Sequence, residues 1–323
     1  MTTSTEPPAT ETHARLPGFF LVGHSKSGTT ALYEMLKRHP QLFLPDFKEP
    51  SYFATDLRPR TRRRVPEPET LEDYLRLFDS AAPDQLTGDA SSLYLYSREA
   101  ASAIARAAPD ARIVAILREP ASFLYSLHLQ LLQNRLEDER DLARAIALEP
   151  ERRAGRHIPA GCYRPQALLY SERVRYVEQL RRYREAFAPE QMLVLIYDDF
   201  RDDNAATVRT VLRFLGVDED VELPAVEANP SVAVRSPRLD ALRHRLSGGA
   251  NAPAGVRGPA SSPALRARRV VGGWGRRFLY REPPPPDEQV MLELRRRFAP
   301  EVAALGEYLH RDLITLWGYD ALE

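Results

Sequence analysis

The sequence holds a single cysteine, Cys162, and only three lysines among its 45 basic residues. One cysteine excludes a disulfide framework and any zinc site built from cysteine clusters. It also fits a reducing compartment. Net charge is missing as well, because 45 acidic side chains balance the basic ones. A general nucleic-acid binder would carry a basic excess, so no nucleic-acid partner is expected. Long apolar runs are absent. Phe19–Val22 and Ile113–Leu117 are of strand length, whereas a membrane-spanning helix needs about 20 apolar residues, so no stable membrane insertion is expected. The histidines, at positions 13, 24, 39, 128, 157, 244 and 310, form no close pairs. That disfavours a metal hydrolase, and no metal is expected. The first 15 residues lack the basic start and apolar core of a signal peptide. They are expected to form a disordered tail on a cytoplasmic protein.

What is present is arginine, 42 residues of it. With many alanines and prolines, this points to a GC-rich bacterial genome that uses arginine wherever any positive charge serves. A lysine that survives in such a chain is informative. Two of the three, Lys26 and Lys48, fall in motifs.

At 323 residues the chain suits one large domain burying roughly three quarters of its unfolded surface. The domain is expected over 16–323. Strands are expected at Phe19–Val22, Ile113–Leu117 and Met192–Tyr197. Helical periodicity covers Thr29–Arg38, about 70–79, about 97–107, about 121–134, 166–187, Asn204–Leu215 and 287–317. Gly216 is placed as a helix C-cap. Residues 42–56 and 57–69 read as loops, the second with three consecutive arginines at 62–64. The stretch 229–288 is rich in Pro, Gly, Ser and Arg and reads as a mobile, loop-rich insertion. Continuous apolar strands alternating with helices imply an α/β fold with a central parallel sheet covered on both faces. The expected architecture is a P-loop-like three-layer sandwich finished by C-terminal helices.

The most informative segment is Gly23-His24-Ser25-Lys26-Ser27-Gly28-Thr29-Thr30, between a strand and a helix. Glycines allow tight turning and close backbone approach. Successive N–H groups and the helix N-terminus can then face an anion. Lys26 adds a cation, and Ser25, Ser27, Thr29 and Thr30 add hydroxyls. This is a phosphate cradle. It is not the ordinary P-loop, in which the lysine follows the second glycine.

Lys26-Ser27-Gly28-Thr29-Thr30-Ala31-Leu32 resembles the phosphosulfate-binding loop of sulfotransferases that use 3′-phosphoadenosine 5′-phosphosulfate (PAPS), [KR]-x-G-T-[ST]-x-L. The resemblance implies that residues 25–30 hold the 5′-phosphosulfate and that Lys26 neutralises charge on the departing phosphate. Sulfuryl transfer leaves a phosphate dianion, which a preorganised cation stabilises. A second family signature has an arginine after a strand and a serine eight residues on. Here these are Arg118 and Ser126, which by resemblance bind the 3′-phosphate. An arginine fork suits phosphate oxygens. Lys48-Glu49-Pro50-Ser51-Tyr52-Phe53 looks like the K-E-x-x-[FY]-F segment of the carbohydrate (heparan-type) and related bacterial members. By resemblance Glu49 is the general base, and Lys48 orients it or holds the acceptor. Gly88-Asp89-Ala90-Ser91-Ser92-Leu93-Tyr94 is similar to a family segment near the acceptor. Gly161-Cys162-Tyr163 falls where members place a residue near the adenosine. Tyr163 is therefore a candidate cofactor contact and equally a core residue, and Cys162 reads as a small buried hydrophobe.

One departure from the family matters. The late R-K-G or K-G loop that closes over the 3′-phosphate has no counterpart. The basic, glycine-containing run Arg268–Arg277 can fill that role, bind an acidic acceptor or membrane surface, or be a solvated charge run. The expected activity is sulfuryl transfer from PAPS to a hydroxyl or amine of a small-molecule, carbohydrate or lipid acceptor, releasing 3′-phosphoadenosine 5′-phosphate (PAP). Arginines at 58, 60, 62, 63 and 64 would suit an anionic acceptor or simply an exposed loop. Two other readings stand beside it. A small-molecule kinase would use Asp198 and Asp199 to hold a metal. A non-catalytic protein would use the same fold for binding alone.

Overall fold

The strand that organises the molecule is β1 (Phe19–Leu21), three residues without access to water. In this computed structural model, which describes residues 16–60, 67–224, 226, 233–234, 280–281 and 283–322, β1 lies at the centre of a parallel sheet. The other strands are β2 (Leu42–Phe43), β3 (Leu86–Ala90), β4 (Arg112–Leu117) and β5 (Met192–Ile196), in the order β2-β3-β1-β4-β5. Phe20 is in register with Asp89 on one side and Ile113 on the other. A short antiparallel pair, β6 (Ala233–Val234) and β7 (Tyr280–Arg281), forms a second sheet.

The helices, in chain order, are α1 (Thr29–Leu36), α2 (Leu71–Leu75), α3 (Ala100–Ala107), α4 (Pro120–Gln133), α5 (Leu142–Ala147), α6 (Glu149–Arg153), α7 (Tyr170–Arg173), α8 (Tyr176–Ala186), α9 (Tyr197–Asp202), α10 (Asn204–Leu215), α11 (Glu288–Leu309) and α12 (Leu313–Leu316). Successive strand residues point to opposite faces, and two cores result. Phe20, Val22, Ile113, Ala115 and Leu117 pack with α3, α4, α8 and α11. Phe19, Leu21, Val114, Ile116 and Leu195 pack with α1 and α10. This is the three-layer sandwich expected, with C-terminal helices in one outer layer. Gly216 ends α10 at φ +66°, as its placement as a C-cap requires.

Several expected boundaries change. The helix expected over 166–187 is three pieces: a 3₁₀ turn at Pro165–Leu168, then α7, then α8. Side chains, two from other elements and one from α8 itself, hold the breaks. The Glu149 carboxylate accepts from Ser171 N, Glu301 accepts from Val177 N, and the Gln179 amide donates to the carbonyls of Glu172 and Arg173. Amphipathic periodicity is blind to such bonds. Gly161–Tyr163 accordingly starts no helix. The helix expected from 97 begins at Ala100, and the one over 70–79 is α2 followed by a 3₁₀ turn, Arg76–Phe78. Strand β2 lies inside the expected 42–56 loop. Strand β3 is too polar to read as a strand; its Gly88 leaves room for the Phe19 ring, which a Cβ would meet at 2.1 Å. The tail 1–15, the arginines 62–64, the run Arg268–Arg277 and most of 229–288 lie outside the described residues.

Candidate active site

Strand order places the site. The chain leaves β1 toward β2 on one side and returns past it to β4 on the other. Ligands of such sheets bind at the carboxyl ends of the strands where the order reverses, here between β1 and β4. The loop 23–28 fills that crevice. At Gly23 a Cβ would stand 2.6 Å from the Ile116 carbonyl oxygen, so only glycine lets the two strand ends approach. Lys26 at φ +70° and Gly28 at φ +87° curl the loop. Gly28 is the N-cap of α1, which has no side-chain cap and no acidic residue in its first turn. Its first N–H groups and positive dipole end therefore face the loop without competition from a carboxylate. Ser27 Oγ is buried with no hydrogen-bond partner. Thr29 is buried, and Ser25 and Thr30 are half-buried.

Arg118, half-buried at the end of β4, meets this loop directly. Its Nη1 donates to the Lys26 carbonyl at 3.0 Å, and its guanidinium lies 4.9 Å from the centre of the Tyr197 ring. Tyr176 OH donates to the Arg118 carbonyl at 2.9 Å. Burial, with help from Arg118, lowers the Lys26 ammonium to a pKa of about 8. Ser126 is buried in α4. That helix is capped by Glu119, whose carboxylate accepts from Ala121 N at 3.0 Å and Ser122 N at 2.6 Å.

Lys48 and Glu49 reach the same crevice from the other side. Lys48 Nζ donates to Thr30 Oγ1 at 3.0 Å, stands 5.4 Å from the Tyr33 ring centre and 3.8 Å from Glu49 Oε1. Burial lowers the Lys48 pKa, while Glu49 and Glu34 oppose that shift. Glu49 Oε2 accepts from the Ser92 hydroxyl at 2.6 Å and the Ser92 N–H at 3.2 Å. With its side chain 29% exposed, Glu49 keeps a side open to a ligand. Beneath it Asp89 is fully buried, accepting from Ser91 Oγ, Tyr74 OH and Tyr94 OH, each at 2.7 Å. Ser91 Oγ accepts in turn from Ser51 N. Burial raises the Asp89 carboxyl to a pKa of about 6.

The structure thus brings the cradle, Arg118, Lys48 and Glu49 to one crevice. Tyr163 stands in the segment that precedes the 3₁₀ turn at Pro165–Leu168. It is half-buried, its carbonyl accepts from Arg60 N at 2.8 Å, and the Arg164 guanidinium is 5.7 Å from its ring centre. Cys162 is a buried free thiol. Three residues carry roles that sequence reasoning missed. Ser92 and Asp89 were legible only as members of a segment. His24 was legible only as a loop residue. His24 is buried, and Gln179 fixes its tautomer. The Gln179 amide nitrogen is spent on two carbonyls, so its oxygen accepts from His24 Nε2–H at 2.7 Å. Nδ1 is left bare and unpartnered. Burial, then Arg173, holds His24 well below the usual imidazole range, so it is neutral at pH 7.

Asp198 and Asp199 are committed to structure. Trp317 Nε1 donates to Asp198 Oδ2 at 2.9 Å, and Arg311 grips both oxygens of Asp199. Among the described residues no group of three or more His, Cys, Asp or Glu is placed to hold a metal ion. No described helix is long and apolar enough to cross a membrane.

Fold and crevice together define a parallel α/β protein with a glycine-curled loop and an open helix N-terminus at its topological switch point. Residues 17–221 match the model of the Sulfotransferase family, and the chain belongs to that family. Human carbohydrate sulfotransferase 15 is 26% identical over 277 residues, covering 71% of this chain and 48% of the relative. Human bifunctional heparan sulfate N-deacetylase/N-sulfotransferase 3 is 28% identical over 212 residues, covering 63% of this chain and 22% of that protein. The chain therefore spans about half or less of these relatives. The crystal structure of a sulfotransferase from Alicyclobacillus acidocaldarius shares the fold, with a TM-score of 0.65 at 24% identity over 92% of this chain and 97% of that one.

Proposed function

We propose that this protein transfers a sulfuryl group from PAPS to a hydroxyl or amine of an acceptor and releases PAP. One observation carries the reading. The putting together of Arg118, Lys26, Thr30, Lys48 and Glu49 is continuous: Arg118 bonds the Lys26 carbonyl, and Lys48 bonds Thr30 and neighbours Glu49. A phosphate-binding end and a base end thereby share one framework.

The residues fit the nucleotide. Ser27 Oγ is an orphaned buried hydroxyl in the cradle, the first turn of α1 is open to an anion, and Lys26 is a cation weakened by burial. An anion would satisfy all three. PAPS supplies the activated sulfuryl group. Residues 25–30 hold its 5′ end, with Lys26 neutralising the charge that develops on the departing phosphate. Arg118 and Ser126 hold the 3′-phosphate and so distinguish PAPS from ATP. Glu49 takes the acceptor's proton, oriented by Ser92 and Lys48. A carbohydrate acceptor is supported by the names of the relatives; a small molecule or a lipid remains within the same chemistry. The single cysteine supports a cytoplasmic setting. The kinase reading loses its metal ligands, since Asp198 and Asp199 are engaged by Trp317 and Arg311.

Thermal unfolding tests the reading. A ligand at about 100 times its Kd adds roughly 2.7 kcal/mol of stability. PAP alone is expected to raise the midpoint by a few degrees, and ADP with magnesium to do much less. A rise only with ADP and magnesium would overturn the proposal in favour of a kinase.

A further inference from the structure

Arg173, the last residue of α7, is 3% exposed. Among the described residues it has no carboxylate partner within ion-pair distance. Its Nε is buried with no hydrogen-bond partner, and its guanidinium stacks 4.5 Å from the centre of the Tyr96 ring. An unpaired buried charge is strongly unfavourable. The other buried arginines among the described residues, Arg152 and Arg164, are paired with Glu137 at 2.7 Å and Glu67 at 3.2 Å. Arg173 is the exception that needs a counterion.

Its position says which one. The turn after β3 links it to the base: Ser92 holds Glu49, Leu95 N donates to the Val22 carbonyl at the end of β1, and Tyr96 carries the Arg173 guanidinium. On the other side Gln179 joins the Arg173 carbonyl to the His24 ring of the cradle loop. The charge of Arg173 is felt at both His24 and Glu49, and Arg164 adds a second positive charge near it. Linked to the base through the turn that carries Tyr96 and to the donor loop through Gln179, Arg173 is within electrostatic reach of both.

Resting on the function proposed above, we infer that Arg173 holds the non-bridging oxygens of the sulfuryl group and is a further catalytic residue. In the transfer the bond from sulfur to the phosphate oxygen breaks, and its electron pair leaves with PAP. The bond from sulfur to the acceptor oxygen forms, and the acceptor's proton passes to Glu49. Arg173 exchanges no proton. Its planar fork matches two oxygens of one anion and steadies the group between the two partners.

The test compares PAPS and PAP binding without acceptor, by calorimetry on the full chain. The two ligands differ by the sulfuryl group alone. Arg173→Gln is expected to weaken PAPS about ten- to hundredfold, the usual loss for a hydrogen bond to a charged group, and to leave PAP nearly unchanged. Arg173→Lys, which keeps charge without the fork, is expected to lose less, still on PAPS only. Equal weakening of both ligands, or no change in either, would overturn the inference. If Arg173→Gln does not fold, Arg173→Lys decides by the same ratio. Wild-type protein that binds neither ligand would instead sink the proposed function.

Discussion

Arg118 Nη1 donates to the carbonyl oxygen of Lys26 across 3.0 Å. The residue proposed for the 3′-phosphate thus props the loop proposed for the 5′ end. On the proposed function, a nucleotide carrying both groups would be read by one connected device. Arg118→Lys keeps the charge and loses both the fork and this strut. It is expected to lower PAP affinity at least tenfold while affecting ADP less, as titration calorimetry with both nucleotides would show. An unchanged preference for PAP over ADP would remove Arg118 from the 3′-phosphate site.

Lys26 titrates near pH 8 because burial, and then Arg118, work against its charge. An unperturbed lysine holds its proton to about pH 10. The protonated form is the one that favours an anion, so PAP affinity is expected to fall as pH rises through about 8. Lys26→Met should bind PAP more weakly at pH 7 and show a flat profile up to pH 9. Its turnover should fall about 10²–10³-fold, the scale for losing one transition-state contact. A Lys26→Met enzyme with the wild-type pH profile would assign that titration to another group.

As the proposed base, Glu49 is expected to serve chemistry and not nucleotide binding. Its carboxylate is held by Ser92 and neighboured by Lys48, which bonds Thr30 of the loop. Glu49→Gln is expected to cut turnover about 10²–10⁴-fold, the usual contribution of a general base, with PAP affinity kept. Ser92→Ala should lower turnover roughly tenfold by freeing the carboxylate. A large loss of PAP affinity in Glu49→Gln would move Glu49 into the nucleotide site.

Asp89 couples the site to stability. Its carboxyl is raised to about 6, burial being the main cause and its three hydroxyl donors opposing it. The folded state therefore binds a proton where the unfolded chain, near 3.9, has released it. Through this group stability is greatest below about pH 4 and declines as pH rises to about 6. Asp89→Asn should remove that slope in denaturation series across the range. Asp89→Ala strands the Tyr74, Tyr94 and Ser91 hydroxyls and is expected to cost about 3 kcal/mol or more.

How much of this was legible in the sequence depends on how each residue acts. The cradle could be read because its residues are consecutive and its glycines meet a local need: Gly23 for close strand approach, Gly28 for a left-handed cap. That Arg118 and Glu49 meet at one crevice could be read from short motifs, and the apolar strands β1, β4 and β5 from continuous hydrophobic runs. Strand β3 could not, since its polar Thr-Gly-Asp core depends on hydroxyls from α2 and the following turn. The break between α7 and α8 depends on Gln179 and Glu301. Arg173 was one of 42 arginines. What sets it apart is that, among the described residues, no carboxylate pairs with it, and no sequence pattern records that.

The C-terminal helices make a last expectation. Tyr319 OH donates to Glu119 Oε1 at 2.6 Å. Glu119 caps α4, which carries Ser126, and directly follows Arg118. Trp317 and Arg311 bind Asp198 and Asp199 of α9, the helix whose Tyr197 lies against the Arg118 guanidinium. The chain's end thus grips Arg118 from both sides without any of these three residues bonding to it. Tyr319→Phe removes one buried hydrogen bond to a carboxylate and is expected to cost about 1–3 kcal/mol. If the grip matters only for folding, the nucleotide affinity of the folded variant will match wild type. If it positions the 3′-phosphate turn, PAP binding will weaken severalfold while ADP binding holds. The second result is expected, because Glu119 loses a partner at the point where the chain turns from Arg118 into α4.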